Sequence, residues 1–293
     1  MKDCIGGVIL YDETIKQTSS KKNTIPELIS DTGSLPGIKV DTGAKILAGS
    51  PDEKITEGLD GLRERLKEYY KLGAKFTKWR GVYNISKNYP SKLSIHSNAH
   101  ALARYSALVQ ECNMVPIVEP EVLMDGDHSA KECLEKTSEV IKKCFEELIL
   151  HKVDLSGTVL KPNMILPGAS CKNKSTTDEI AKKTLECLKK NMPKEVPGVA
   201  FLSGGQSEIE ATKNLNAINK INDSRIVILP KDTQSNPEIS LKVSKELYNE
   251  GVRIIIGPAL LDDGTHNLLG AIRTSMSTLG VKNIKEMQNV EIV

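Results

Sequence analysis

Lys161 sits in the string Gly157-Thr-Val-Leu-Lys-Pro-Asn163, at the end of an apolar strand run that Pro162 terminates. A lysine amine in apolar surroundings sheds its proton more readily, and a neighbouring cation such as Lys78 adds to that effect. A neutral amine attacks a ketone carbonyl, and the iminium that forms draws electrons out of the adjacent carbon–carbon bond. An ordinary strand-end lysine reaching for water explains this one segment equally well. Glu119 and Glu121, in Val115-Pro-Ile-Val-Glu-Pro-Glu121, offer carboxyls of the kind that protonates a carbinolamine hydroxyl and expels it as water. An ion pair of either glutamate with Lys78 or Lys161 is compatible with that chemistry. Lys39, Lys78 and Arg80 would make a cationic rim for a phosphorylated ligand, the arginine as a fork and the lysines as point charges. Ser203, Gly204 and Gly205, in Phe201-Leu-Ser-Gly-Gly-Gln-Ser207, precede an expected helix whose first amides can hold a phosphate. Taken alone, a Ser-Gly-Gly turn is a common feature. Ser207 with Glu210 also reads as a reciprocal helix cap, which is compatible with phosphate binding.

These side chains need a frame that delivers them to one place. Short apolar runs at 6–10, 37–41, 74–80, 115–121, 157–162, 198–204, 225–230 and 253–258 read as strands. Helix-like runs at 58–72, 94–111, 127–151, 177–191, 207–221 and 236–251 alternate with them, and another follows the last strand at 267–279. Such alternation predicts parallel strands joined by helical crossovers, and eight of them predict a closed β/α barrel. Strands buried on both faces should be almost wholly apolar. Charges recur instead near the ends of several, as Lys39 and Asp41, Lys78 and Arg80, Glu119 and Glu121, then Lys161. Residues two apart on a strand point the same way, so one polar cavity at the C-terminal face of the barrel accounts for them together.

Composition narrows the function. The chain has 293 residues and a formal net charge of +2, so neither nucleic acid nor a membrane surface is expected as a partner. No stretch approaches the roughly 20 apolar residues of a membrane span, and the start lacks the layout of a secretory signal. Six cysteines without a CxxC pair suit a reduced, cytoplasmic setting. His96 and His100 stand four apart on an expected helix, but no glutamate follows His96 in HExxH order and no third ligand is evident. They are expected to serve the helix surface or its packing, with no metal and no cofactor in the site.

Taken together the segments resemble the class I fructose-1,6-bisphosphate aldolases. The strings are Cys4-Ile-Gly-Gly-Val-Ile-Leu10, Gly37-Ile-Lys-Val-Asp41, Gly58-Leu-Asp-Gly-Leu62, Lys78-Trp-Arg80 and Ala101-Leu-Ala-Arg-Tyr105, with the Glu119 and Lys161 strings as quoted. Asp125-Gly-Asp-His128, the Ser203 string and Asn214-Leu-Asn-Ala-Ile-Asn-Lys220 complete the set, in family order. The resemblance implies a barrel that splits fructose 1,6-bisphosphate into dihydroxyacetone phosphate and glyceraldehyde 3-phosphate in glycolysis, assembled as a homotetramer. It implies Lys161 as the Schiff-base lysine, Glu119 as the acid/base of imine formation with Lys78 assisting, and Glu121 beside them. Lys39 and Arg80 would bind substrate near its distal phosphate, and Ser203, Gly204 and Gly205 would hold the proximal one. No metal is implied, because the iminium is the electron sink.

The match departs from the family in places. Ser156 precedes Gly157 where the family carries a glutamate. The family's first strand with its aspartate, its Ser-Tyr-Gly-Arg phosphate clamp and its terminal tyrosine have no recognisable counterpart. Residues 222–293 look composite, with 225–237 and 249–258 similar to a βαβ unit of periplasmic amino-acid-binding proteins. The expected fold is a TIM-type (β/α)8 barrel with family strand 1 absent and strand 8 replaced by foreign C-terminal βα units. Residues 1–221 would form the aldolase-like portion and 222–293 a βαβα segment completing the barrel, with 253–258 lying beside 6–10. Three alternatives remain open: an inactive barrel binding sugar phosphates or protein partners, a different Schiff-base or transaldolase-like activity, and an amino-acid-binding module in the tail.

Overall fold

A computed structural model describes residues 5–20, 22–221 and 255–256. Strand β1 (Gly7–Leu10) is followed by helices α1 (Asp12–Ile15) and α2 (Ile25–Asp31), then by β2 (Leu35–Lys39). A hairpin of β3 (Gly43–Leu47) and β4 (Ser50–Glu57) leads to α3 (Leu62–Lys71). Then come β5 (Phe76–Tyr83), α4 (Lys92–Glu111), β6 (Val115–Val122), α5 (Ala130–Leu150), β7 (Val159–Leu160), α6 (Thr177–Asn191), α7 (Glu208–Ile221) and β8 (Ile255–Ile256).

The main sheet runs β7-β6-β5-β2-β1-β8, and all its pairings are parallel. At one edge Leu160 makes a parallel bridge to Val199. At the other, Ile255 and Ile256 pair with Gly7 and Val8. The strand expected at 198–204 is reduced to that bridge, and the run around it is irregular. The strand at 225–230 and the helices at 236–251 and 267–279 lie outside the described residues.

Both faces of the sheet are covered. Outward, Trp79, Val118 and Leu160 meet Leu66, Leu102, Tyr105, Ile141, Leu148 and Leu185 of the helices in one continuous core. Each such side chain contributes roughly 1.5–3 kcal/mol on leaving water. Inward, Ile9, Phe76 and Ile117 form a second apolar cluster with Val159 against it. On β5 and β6 these inward positions continue at period two into the charged residues, Phe76 to Lys78 to Arg80 and Ile117 to Glu119 to Glu121. The apolar cluster is therefore the floor on which the charges stand.

Space at that floor depends on two glycines. A Cβ added at Gly37 would lie 2.3 Å from the Phe76 ring, and one at Gly7 would lie 2.7 Å from it. Overpacking a site this tight costs about 1–3 kcal/mol, so Gly37→Ala is expected to lower the urea midpoint with no change in slope. A midpoint equal to that of the unsubstituted chain would show that the ring moves aside freely.

The helices are fixed at their starts by a repeated device. Thr24 with Glu27, Ser129 with Glu132 and Thr176 with Glu179 are reciprocal caps, as is Ser207 with Glu210. Amide and hydroxyl donors of the capping residue hold each of these glutamates below the usual carboxylate range. Helix α5 then buries Cys133, Thr137, Val140, Ile141, Cys144 and Leu148, a helical stripe that seats it on the sheet.

The hairpin was not foreseen from sequence. Its turn is Ala48–Gly49, and Gly49 takes a φ of +83°, which favours glycine. The hairpin braces β5: Thr56 donates from Oγ1 to the Arg80 carbonyl at 2.6 Å, and Asn98 of α4 donates to the Lys54 carbonyl at 2.9 Å.

Candidate active site

The charged residues converge. Lys161 lies one residue past β7, where its amide donates to the Val118 carbonyl at 2.7 Å. That bond holds the Lys161 backbone against β6. Its Nζ stands 2.6 Å from Glu119 Oε1. Lys78 approaches the other oxygen, with Nζ 3.2 Å from Oε2. Glu119 is thus a buried carboxylate bridging two amines, its side chain 3% exposed. Burial alone would push its carboxyl up, but Lys161, Lys78 and Arg80 together outweigh burial and hold it below the usual range. Ionised at neutral pH, it can accept a proton from the amine and return it to a departing hydroxyl.

The rest of the cluster orders the cations. Asp41 Oδ1 is 2.5 Å from Lys39 Nζ, and its Oδ2 is 3.9 Å from Lys78 Nζ. The Arg80 amide also donates to Asp41 Oδ2, at 3.4 Å. Arg80 Nε is 2.5 Å from Glu121 Oε2, and the Glu121 side chain is 2% exposed. Four cations and three carboxylates therefore form one connected network, and the lysines and arginine keep exposures of 10–21%. A cation already oriented by a buried carboxylate loses little freedom when it meets a phosphate.

Not every expected residue joins this network. Glu121 is the partner of Arg80, while Glu119 alone among the described carboxylates pairs with Lys161. Ser203 is exposed on a separate loop, where its carbonyl accepts from the Gln206 amide and side chain. Gly204 and Gly205 take φ values of +63° and +88°, so the turn there favours glycine. Asp41 is the main addition. From sequence it is one more strand-end charge, and the structure makes it the counter-ion that joins Lys39 to Lys78. The signal was its spacing of two from Lys39.

Comparison with known proteins bears on the identity of this cluster. Residues 1–230 match the family model described as glycolytic, fructose-bisphosphate aldolase class-I. The chain belongs to the class I fructose-bisphosphate aldolase family. The match takes in 225–230, a segment that the sequence strings set apart from the family. A probable fructose-bisphosphate aldolase class 1 of Xylella fastidiosa is 50% identical over 221 residues, which are 75% of this chain and 66% of that protein. The cytosolic fructose-bisphosphate aldolase 4 of Arabidopsis thaliana is 49% identical, over 74% of this chain and 55% of its own length. Aldolase C of Carassius auratus is 50% identical, over 75% and 60%. The chain thus spans 55–66% of the length of these curated relatives. Among solved structures, the Plasmodium falciparum aldolase, in complex with TRAP and a small-molecule inhibitor, superposes with a TM-score of 0.76 at 38% identity. The superposition covers 95% of this chain and 79% of that one. The aldolase family and this neighbour give the chain a TIM-type α/β fold, as the alternation of strands and helices predicts. No helix among the described residues is long and apolar enough to cross a membrane.

Proposed function

We propose that this chain is a Schiff-base aldolase that cleaves fructose 1,6-bisphosphate to dihydroxyacetone phosphate and glyceraldehyde 3-phosphate. The observation that carries the proposal is the 2.6 Å contact between Lys161 Nζ and Glu119 Oε1. Glu119 takes the proton that Lys161 must lose before attack. It then protonates the carbinolamine hydroxyl so that water departs, with Lys78 stabilising the carboxylate. The iminium on Lys161 accepts the electrons of the carbon–carbon bond as it breaks, while the proton of the hydroxyl that becomes the aldehyde passes to the regenerated Glu119 carboxylate. Arg80, held by Glu121, and Lys39, held by Asp41, receive the distal phosphate. The amides of Ser203, Gly204 and Gly205, before α7, receive the proximal one. The four cations exceed the three carboxylates, which favours an anionic substrate.

A second reading is supported by the same geometry. Glu119 is the one described carboxylate at Lys161, so among the described residues a separate base for the substrate hydroxyl is not paired there. On that reading the barrel binds sugar phosphates without turning them over. Incubating the chain with fructose 1,6-bisphosphate in EDTA, with a coupled triose-phosphate readout, separates the two. Cleavage is expected; saturable binding without triose phosphate would favour the second reading.

The finer features of the fold belong to this proposal. Residues 222–293 would complete the barrel, and the pairing of Ile255–Ile256 with Gly7–Val8 supports such closure. A cytoplasmic location and a homotetramer agree with membership of the family, one of whose relatives is named cytosolic.

A further inference from the structure

Histidines 96 and 100 stand one helical turn apart near the start of α4, and the structure places against them two residues that sequence distance conceals. Glu147, in the last turn of α5, and His151, the residue that ends α5, also stand one turn apart. Two such pairs on packed helices can aim four side chains at one point between them. Glu147 is the hub. Its Oε1 is 3.4 Å from His96 Nδ1, and its Oε2 is 3.5 Å from His100 Nδ1. The His100 and His151 rings meet edge to face at 4.9 Å between centroids. One ligand atom from each of His100, Glu147 and His151 lies within 4.8 Å of the other two.

We propose that His100, Glu147 and His151, with His96 as a fourth ligand, bind a divalent transition-metal ion of the zinc type. Imidazole and carboxylate are the donors such ions prefer. Ligands about 2.1 Å from a tetrahedral ion stand about 3.4 Å apart, so His100, Glu147 and His151 close by an ångström or so, and His96, outside that group, moves further. His96 and His100 are 60% and 44% exposed, which leaves them free to make that movement. The hub is fixed, because Glu147 is 3% exposed. His151 is pre-oriented as well. Its Nδ1 lies 2.9 Å from the Glu147 carbonyl oxygen, and the tautomer that donates there presents an Nε2 lone pair to a metal. The competing cation is Lys143, whose Nζ is 2.9 Å from Glu147 Oε1. Its side chain is 31% exposed and has Glu146 at 3.6 Å as a second partner, so an incoming ion displaces it readily. The ion ties α4 to α5 on the outside of the sheet, away from the Lys161 cluster. The proposal stands independently of the aldolase reading.

The test is a titration of the metal-free full chain with Co2+, followed by its visible d–d absorption, together with Zn2+ calorimetry. One ion per chain is expected, with a midpoint in the micromolar range. The double substitution H100A with H151A should weaken binding at least about 100-fold. Its fold is checked by circular dichroism in EDTA. K143M should tighten binding several-fold, by removing the cation that competes for Glu147. Absence of binding to the unsubstituted chain overturns the site, and so does equal affinity in a folded double variant. A thiolate-to-cobalt charge-transfer band assigns the ion to cysteines and overturns it as well. Should the double variant misfold, unchanged affinity in K143M has the same force.

Discussion

Lys161→Met is expected to abolish the covalent adduct that borohydride traps between this chain and dihydroxyacetone phosphate. Methionine keeps a stem of similar length and removes the amine, so the test isolates the nucleophile. Cleavage of fructose 1,6-bisphosphate should fall by on the order of 10⁴-fold or more, since the variant lacks the amine assigned to form the iminium. The fold should survive. The Lys161 side chain is 21% exposed, and Glu119 keeps Lys78 at 3.2 Å as its partner. The adduct is read as a mass increment on the intact chain, then located by peptide mapping. Equal labelling of the Met variant would move the Schiff base to another lysine, of which Lys78 is the first to examine.

The logic that reaches Lys161 from sequence works only where it is local. Lys78 and Arg80, like Glu119 and Glu121, could be read as sharing a direction because strand geometry alternates side chains whatever the fold around them. Helix α6 was expected at 177–191, and the structure places it at Thr177–Asn191, where the apolar spacing and the cap at Thr176 coincide. What sequence could not supply was pairing. Glu119 and Lys161 are 42 residues apart, and nothing in either segment says which of two glutamates the lysine meets. Parallel register decides it. Ile117 pairs with Val159, so Glu119 on β6 falls level with Lys161 just past β7. Arg80 is level with Glu119 in the β5–β6 register, yet its side chain pairs with Glu121, which register alone does not give. The same reason hid Glu147 from His100. Other omissions were legible and passed over. Thr24, Ser129 and Thr176 each precede a glutamate by three residues, as Ser207 does, yet only the Ser207 cap was read. The β3–β4 hairpin gives a weaker signal, because its turn is Ala-Gly and its strands are largely exposed.

Glu119→Gln tests whether the buried carboxylate is chemical, structural or both. The amide keeps the shape of the side chain but cannot take the lysine proton, so adduct formation should slow by roughly 10²–10⁴-fold. Substrate affinity should change little, because the phosphate-binding groups are held by Asp41 and Glu121 instead. Stability should fall too. Lys78 and Lys161 would face each other across a neutral group, and breaking a buried pair of this kind costs about 3 kcal/mol. The dependence on pH carries the sign that identifies the cause. Folding lowers the Glu119 carboxyl from the unfolded value of about 4.3. Its contribution is therefore complete above that value and is lost as pH falls through the lower, folded one. Urea midpoints of the two proteins should differ most at neutral pH and converge in acid. A constant gap across that range would mean that the charge of Glu119 is not what stabilises the site. Normal trapping kinetics in the Gln variant would remove Glu119 from the proton transfers and leave Lys78 as the group to test.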